Sequence, residues 1–141
     1  MLCAVQAWCL VRGPVRHETA LAPGMGARRF DDLRAWQLAA ELSDKVVALC
    51  ATKALQTDVK FRYQLQDAAE AAPRLIAEGF GRWSPRDFAR YLVMARSEVM
   101  EVISDLMALR RRKTIDVSVA DDLIALAERT TRTINSLRSS L

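Results

Sequence analysis

The sequence predicts an all-α protein: an up-down-up-down four-helix bundle preceded by a flexible N-terminal leader. Only four prolines and five glycines interrupt the 141 residues, so long regular elements are expected. Apolar residues recur at spacings of three and four through most of the chain, which is the period of an α-helix. A chain of this length can form one domain with a core of its own.

Residues 1–29 are interpreted as the leader, which is either disordered or mis-started, with residues 1–24 upstream of a true translation start at Met25. Residues 1–11 are apolar, but no basic residues precede them as in a signal peptide, and a membrane span needs roughly 20 apolar residues. Residues 13–29 carry two prolines and three glycines. We therefore expect a cytoplasmic protein whose bundle domain is residues 30–141.

The first helix is predicted to begin at Asp31 or Asp32, because acidic side chains interact favourably with the positive end of the helix dipole. It is predicted to end near Thr52. The second is predicted from Thr57 or Asp58 to Glu78. Its inner side is marked by Phe61, Leu65, Ala68, Ala72, Leu75 and Ile76, and that of the first helix by Leu38, Leu42, Val46 and Leu49. A proline inside a helix removes one amide bond, so a kink is expected at Pro73.

The corner at the end of the second helix is predicted to depend on Pro73, Glu78, Gly79, Gly81 and Ser84. Gly79 is predicted to close that helix in the left-handed conformation, with Phe80 folded back onto Leu75. Ser84 is predicted to cap the third helix, with Pro85 at its first position and Asp87 completing a capping box. Glu78 is expected to hold the corner by bonding backbone amides or a neighbouring arginine, because nothing nearby would make it a general base.

The third helix shows the clearest pattern and should end near Arg112. Its buried seam alternates steps of four and three through Phe88, Leu92, Ala95, Val99, Val102, Leu106 and Leu109. A second apolar set lies off that seam: Val93, Met94, Met100, Ile103 and Met107. One face cannot bury both sets, so self-association is predicted.

The fourth helix is predicted to start after Ser118, which would form a capping box with Asp121. Its inner face is predicted to consist of Leu123, Leu126, Thr130, Ile134 and Leu137. Four helices with short connections make an up-down-up-down bundle.

The composition argues against an enzyme, a metal site or a cofactor. The three cysteines, Cys3, Cys9 and Cys50, lack metal-ligand spacing and are interpreted as reduced thiols, with Cys50 in the core. The single histidine, His17, lies outside the patterned region, and the Glu-x-x-His motif of di-iron bundles is missing. No phosphate loop or nucleophile elbow is present.

Basic residues are concentrated between positions 82 and 113, where eight arginines and lysines face four acidic residues; the net charge of the whole chain is +4. The candidate nucleic-acid-binding residues are Arg82, Trp83, Arg86, Arg90, Arg110, Arg111, Arg112 and Lys113. Arginines would contact phosphates, and Trp83 would stack on an unpaired base. In the alternative interpretation the arginines form a solvated face, pair with nearby acids or line a subunit contact, and Trp83 plugs the bundle end. The run 110–113 would then cap a helix terminus and aid solubility.

The chain resembles the 23S rRNA intervening-sequence proteins, often called four-helix-bundle proteins. The resemblance covers residue 30 to the C-terminus and rests on Phe30-Asp31-Asp32-Leu33, Trp36-Gln37, Ala68-Ala69, Pro73, Ile76-Ala77-Glu78-Gly79-Phe80-Gly81-Arg82 and Phe88. It implies a bacterial protein whose bundles assemble into pentameric rings. A more distant similarity is to the accessory variability protein of diversity-generating retroelements, a basic pentamer that engages RNA and a reverse transcriptase. Gln66, Asp67, Glu70 and Leu75 depart from the family pattern, which leaves the corner and the third helix as the better RNA-binding candidates.

These features predict a non-enzymatic, RNA-associated accessory protein that forms a ring-like homo-oligomer, with a pentamer favoured. Its expected partners are other copies of itself and either structured RNA or a nucleic-acid enzyme, with no membrane. The alternative is a structural adaptor whose oligomer binds another protein without nucleic acid.

Overall fold

The computed structural model describes residues 26–141, and within them the chain forms four α-helices and no strand. The helices are α1 (Arg34–Cys50), α2 (Val59–Phe80), α3 (Pro85–Arg111) and α4 (Val117–Ser139). Short 3₁₀ turns at Phe30–Asp32 and Lys53–Leu55 lie on either side of α1. The predicted leader, apart from residues 26–29, and the proposed start at Met25 lie outside the described residues.

The helices pack as an antiparallel bundle, which confirms the predicted fold class. α2 packs between α1 and α3, and α4 packs against both α3 and α1. The predicted inner residues supply the core, except that Phe61 and Leu75 are only partly buried against it. The largest side chains with almost no exposure include Leu38, Leu42, Leu65, Ile76, Leu92, Leu106 and Ile134. Each such side chain stabilises the fold by about 1.5–3 kcal/mol relative to an exposed one. Of the apolar residues predicted off the α3 seam, Ile103 is in fact buried, whereas the other four are exposed.

The first two helices differ from prediction mainly at their ends. Asp31 and Asp32 do not begin α1; they lie in a separate 3₁₀ turn, where the Asp32 carboxylate accepts the backbone N–H groups of Arg28 and Arg29. Asp58, one of the two residues predicted to begin α2, precedes the helix and caps it, its Oδ1 accepting the Phe61 N–H at 3.1 Å. The helix then continues through Pro73 to Phe80, two residues beyond the predicted end.

The prediction that Gly79 closes α2 in the left-handed conformation is wrong. Gly79 is buried inside the helix, and Gly81 at its C-terminus has an ordinary φ of −73°. The left-handed residue at this corner is Trp83, with φ of 58°. Gly79 is required for a different reason: a Cβ there would lie 2.5 Å from the Tyr91 Cβ, so α3 approaches α2 as only glycine allows.

The predicted start of α4 is also wrong. Asp116, not Ser118, precedes the helix, and its side chain makes no capping bond. Asp121 forms no capping box, because its carboxylate accepts a hydrogen bond from the Arg110 guanidinium of α3. The start of α4 is therefore held by an ion pair to the end of α3.

Two further sequence predictions concern the core and the membrane. Cys50 is buried, as predicted, with its Sγ 3.7 Å from the Arg62 carbonyl oxygen, and burial raises the pKa of its thiol. Between residues 26 and 141, no helix combines the length and the apolar character that crossing a bilayer demands.

Candidate nucleic-acid interface

At the corner, α2 and α3 are joined by a tight turn of four residues, 81–84. Ser84 caps α3 through its Oγ, which accepts the Asp87 N–H at 3.3 Å, and Pro85 is the first helical residue, as the sequence predicts. The Phe80 ring packs edge-on against the Phe88 ring, with 6.0 Å between centroids. These contacts fix the angle at which the chain enters α3.

A network of three polar side chains ties the end of α2 to α3. Glu78 Oε1 accepts hydrogen bonds from Arg82 Nη2 at 2.8 Å and from the Tyr91 hydroxyl at 2.9 Å. The Arg82 guanidinium also lies 5.1 Å from the centroid of the Tyr91 ring. The bond from Arg82, followed by that from Tyr91, lowers the pKa of Glu78, and the bond to Glu78 raises the pKa of Tyr91. The network is exposed to solvent, so its main effect is to position Arg82.

Trp83 lies beside this network with its side chain 99% exposed. The alternative interpretation that Trp83 plugs the end of the bundle is therefore wrong. Its left-handed backbone, φ of 58°, is a conformation that costs a non-glycine residue roughly 1–2 kcal/mol. The structure thus holds a large aromatic ring entirely in solvent on a strained turn.

Arg86 and Arg90 lie one helical turn apart on α3, and both are exposed. Among residues 26–141 neither guanidinium is within ion-pair distance of a carboxylate. Arg90 contributes to a shallow cavity of about 220 Å³ whose other walls are Arg82, Asp87, Tyr91 and Met94. Arg82 and Arg90 thus line one cavity, while Trp83 in the turn and Arg86 in the first turn of α3 lie at the same end of the molecule.

The other four predicted residues do not join this site. Arg110, Arg111, Arg112 and Lys113 lie at the opposite end of α3, a helix of 27 residues and therefore about 40 Å long. Arg110 pairs with Asp121 of α4, and the Arg112 guanidinium lies 5.3 Å from the centroid of the Phe61 ring. These contacts favour a structural role for Arg110 and Arg112, although Arg112 is exposed like Arg111 and Lys113.

Sequence reasoning missed Tyr91 and Met94 as parts of this corner. The one feature of the sequence that could have indicated them is their position, because both lie in the first three turns of α3, close to the corner. The role of Tyr91 depends on the close approach at Gly79, which the sequence does not reveal. No cluster of three or more potential metal ligands occurs among residues 26–141.

A family model for the 23S rRNA-intervening sequence protein matches residues 31–136. The match covers well over half of the chain, includes the whole corner and reaches into every helix. No curated protein matches the sequence. The matched length and the four-helix fold agree, and the chain belongs to the family of 23S rRNA-intervening sequence proteins.

Proposed function

We propose that this protein is an RNA-associated, non-enzymatic accessory protein whose ring-like homo-oligomer, with a pentamer favoured, presents a basic surface from each copy. The observation that supports this most directly is Trp83, fully exposed on a strained turn at the end of the bundle that carries Arg82, Arg86 and Arg90. A hydrophobic ring gains nothing for the fold in that position. The family is not a known enzyme family.

The corner suits an RNA segment that contains unpaired bases. A base stacked on an exposed aromatic ring gains about 1–3 kcal/mol irrespective of sequence, because every base has a π-face. Arg86 and Arg90 have no carboxylate partner among the described residues, so they are available for the phosphates on either side of such a base. A ring would repeat the site, and one RNA spanning several copies would bind with higher avidity than a single contact allows.

The test is fluorescence anisotropy with a labelled RNA hairpin that has an unpaired loop, measured over a range of salt concentrations. We expect affinity to fall steeply with salt through counterion release, and a fully paired RNA duplex to bind more weakly. The triple variant R82Q/R86Q/R90Q should lose binding. The double variant R129Q/R132Q removes exposed arginines from the middle of α4 and should retain it.

The second candidate function, a structural adaptor without nucleic acid, is favoured by one observation. Arg82 already donates to Glu78 and contacts the Tyr91 ring, as expected for an arginine that stabilises the fold. If the wild-type protein shows no salt-dependent binding to either RNA, the RNA proposal fails and the adaptor remains.

We also propose that the protein is bacterial and that it resides in the cytoplasm. The cytoplasm keeps thiols reduced, which suits an odd number of cysteines.

A further inference from the structure

A second stripe with helix-packing periodicity runs along the outside of α3. It consists of Val93, Ser97, Met100, Ser104 and Met107, which alternate steps of four and three just as the buried seam does. All five are exposed among residues 26–141. We refer to these five residues as the outer seam. Apolar and small residues at this spacing are the pattern by which one helix packs against another.

Arginines stand at both ends of the outer seam and restrict what can cover it. Arg90 precedes Val93 by three residues, Arg111 follows Met107 by four, and both continue the same alternation. If α3 packed antiparallel on α3 of another copy, Arg90 would face the end that carries Arg111. If the two helices packed in parallel, each arginine would face its own counterpart. Like charges in contact are unfavourable in either arrangement, so the seam requires a different face.

The outer face of α2 offers exposed apolar side chains next to a carboxylate. Val59 and Tyr63 are its exposed large apolar side chains, and both are exposed by about half or more. Asp58 lies just before them, and Asp67 lies one turn after Tyr63. The same face carries the exposed Lys60, Arg62 lies over the Tyr63 ring, and Asp67 pairs with Arg74 at 3.6 Å. The carboxylate left to meet an arginine at the end of the seam is therefore that of Asp58.

The two faces also match in height along the bundle. Gln64 of α2 lies level with Asp105 of α3, since their side chains are 3.4 Å apart. The helices are antiparallel, so each step forward on α3 corresponds to one step back on α2. Met107 is therefore level with residue 62, between Val59 and Tyr63, and Arg111 is level with Asp58. A rotation about an axis parallel to the bundle preserves these heights.

We propose that the outer seam of α3 in one copy packs head-to-tail on the outer face of α2 in the next copy. This inference rests on the ring-like assembly proposed above and assigns its subunit contact. Met107 would lie against Val59 and Tyr63 of the neighbour, and Arg111 would lie beside its Asp58. A contact between two different faces can repeat from copy to copy, and it forms a ring when the rotation between copies adds up to a full turn. A face that packs on its own counterpart gives only a dimer.

The first test is the mass of the full-length protein in dilute buffer without RNA, measured by light scattering after size exclusion. We expect the wild type to be an oligomer, and M100K and M107K to be monomers that retain the circular dichroism of the wild type. The control is M94K, because Met94 is 47% exposed, against 44% for Met100, but lines the corner cavity instead of the seam. Retained assembly in M100K and M107K, or equal dissociation of M94K, would overturn the proposed contact.

The second test identifies the opposing face by cross-linking. Cys3 and Cys9 are first replaced by serine. The M107C and Y63C variants of this protein carry tags of different size, and they are expressed both separately and together. Each sample is then oxidised. We expect a disulfide-linked dimer of unlike chains only in the co-expressed sample. A link between two M107C chains, or no link between the unlike chains, overturns the assignment. If the wild-type protein is a monomer, the proposed ring is wrong as well. If it is an oligomer but the disulfide does not form, only the proposed contact between α3 and α2 is wrong.

Discussion

Gly79 lies directly against Tyr91, so that a methyl carbon on Gly79 would be 2.5 Å from the Tyr91 Cβ and 2.9 Å from a Phe88 ring carbon. Neither helix has room for that atom without moving apart. The close approach allows the Tyr91 hydroxyl to reach Glu78, and Glu78 in turn positions Arg82. One missing side chain on α2 therefore determines the geometry of the corner.

The first prediction is that Gly79→Ala destabilises the protein. Overpacking costs about 1–3 kcal/mol, which outweighs the gain of about 1 kcal/mol in helix propensity. The free energy of unfolding, measured by urea denaturation, should fall. The control is Gly81→Ala, because a Cβ there would lie 3.4 Å from its nearest neighbour and φ is ordinary, so a gain of about 0.4–1 kcal/mol is expected. Equal stability of the G79A variant and the wild type would contradict the steric argument.

The second prediction concerns competition for Arg82. Glu78→Gln removes the carboxylate that holds the guanidinium, so affinity for the RNA hairpin should rise by about two- to fivefold, with a slightly steeper dependence on salt. The control is Glu41→Gln, which removes an exposed carboxylate from another pair four residues apart, Glu41 with Lys45 on α1. Anisotropy titrations measure both variants. An equal gain in the two variants would attribute the effect to net charge instead of the release of Arg82.

Much of this fold could be predicted from periodicity, because a residue buried by a helix must recur at the helical spacing. The buried seam of α3, from Phe88 to Leu109, is correct in every member. Errors occurred where a helix end depends on contacts distant in sequence. Asp121 has the right spacing from Ser118 for a capping box, but Arg110 of the neighbouring helix binds it instead.

The candidate site was predictable in composition but not in arrangement. Basic residues from 82 to 113 form one cluster in sequence, yet a helix of 27 residues separates its two ends. Gly79 was assigned to the corner, but for the wrong reason, since close helix contact and left-handed turns both favour glycine. That Trp83 is exposed could not be inferred, because a tryptophan is more often at least partly buried.

The third prediction separates the strain at Trp83 from its binding role. Trp83→Gly relieves the left-handed backbone but adds unfolded-state freedom, so a net gain in stability of about 0.5–1 kcal/mol is expected, while RNA affinity falls by about tenfold. The control is Lys113→Gly, because Lys113 has a nearly identical φ of 56° and no aromatic ring. It should gain stability and retain most of its RNA affinity. If W83G binds RNA as tightly as K113G, Trp83 does not stack on a base.

The last prediction concerns Asp105, which is only 7% exposed at the contact between α2 and α3. Burial raises the pKa of its carboxyl, and the nearby Glu101 raises it further, against the opposing effects of the Gln64 amide and Arg112. The folded state thus holds the proton more tightly than the unfolded state. The contribution of Asp105 to stability is therefore greatest below its unfolded-state pKa and is lost as pH rises through the folded-state value.

Asp105→Asn should abolish this loss, since the amide carries no charge and its Oδ1 can still accept from the Gln64 side chain. We expect the variant to be more stable than the wild type near neutral pH, with a difference that shrinks in acid. Urea denaturation at a series of pH values measures this difference. Asp44→Asn, which removes an exposed carboxylate from α1, controls for the change in net charge. A D105N variant less stable than the wild type near neutral pH would show that the carboxylate stabilises the contact between α2 and α3, contrary to the direction argued from its burial.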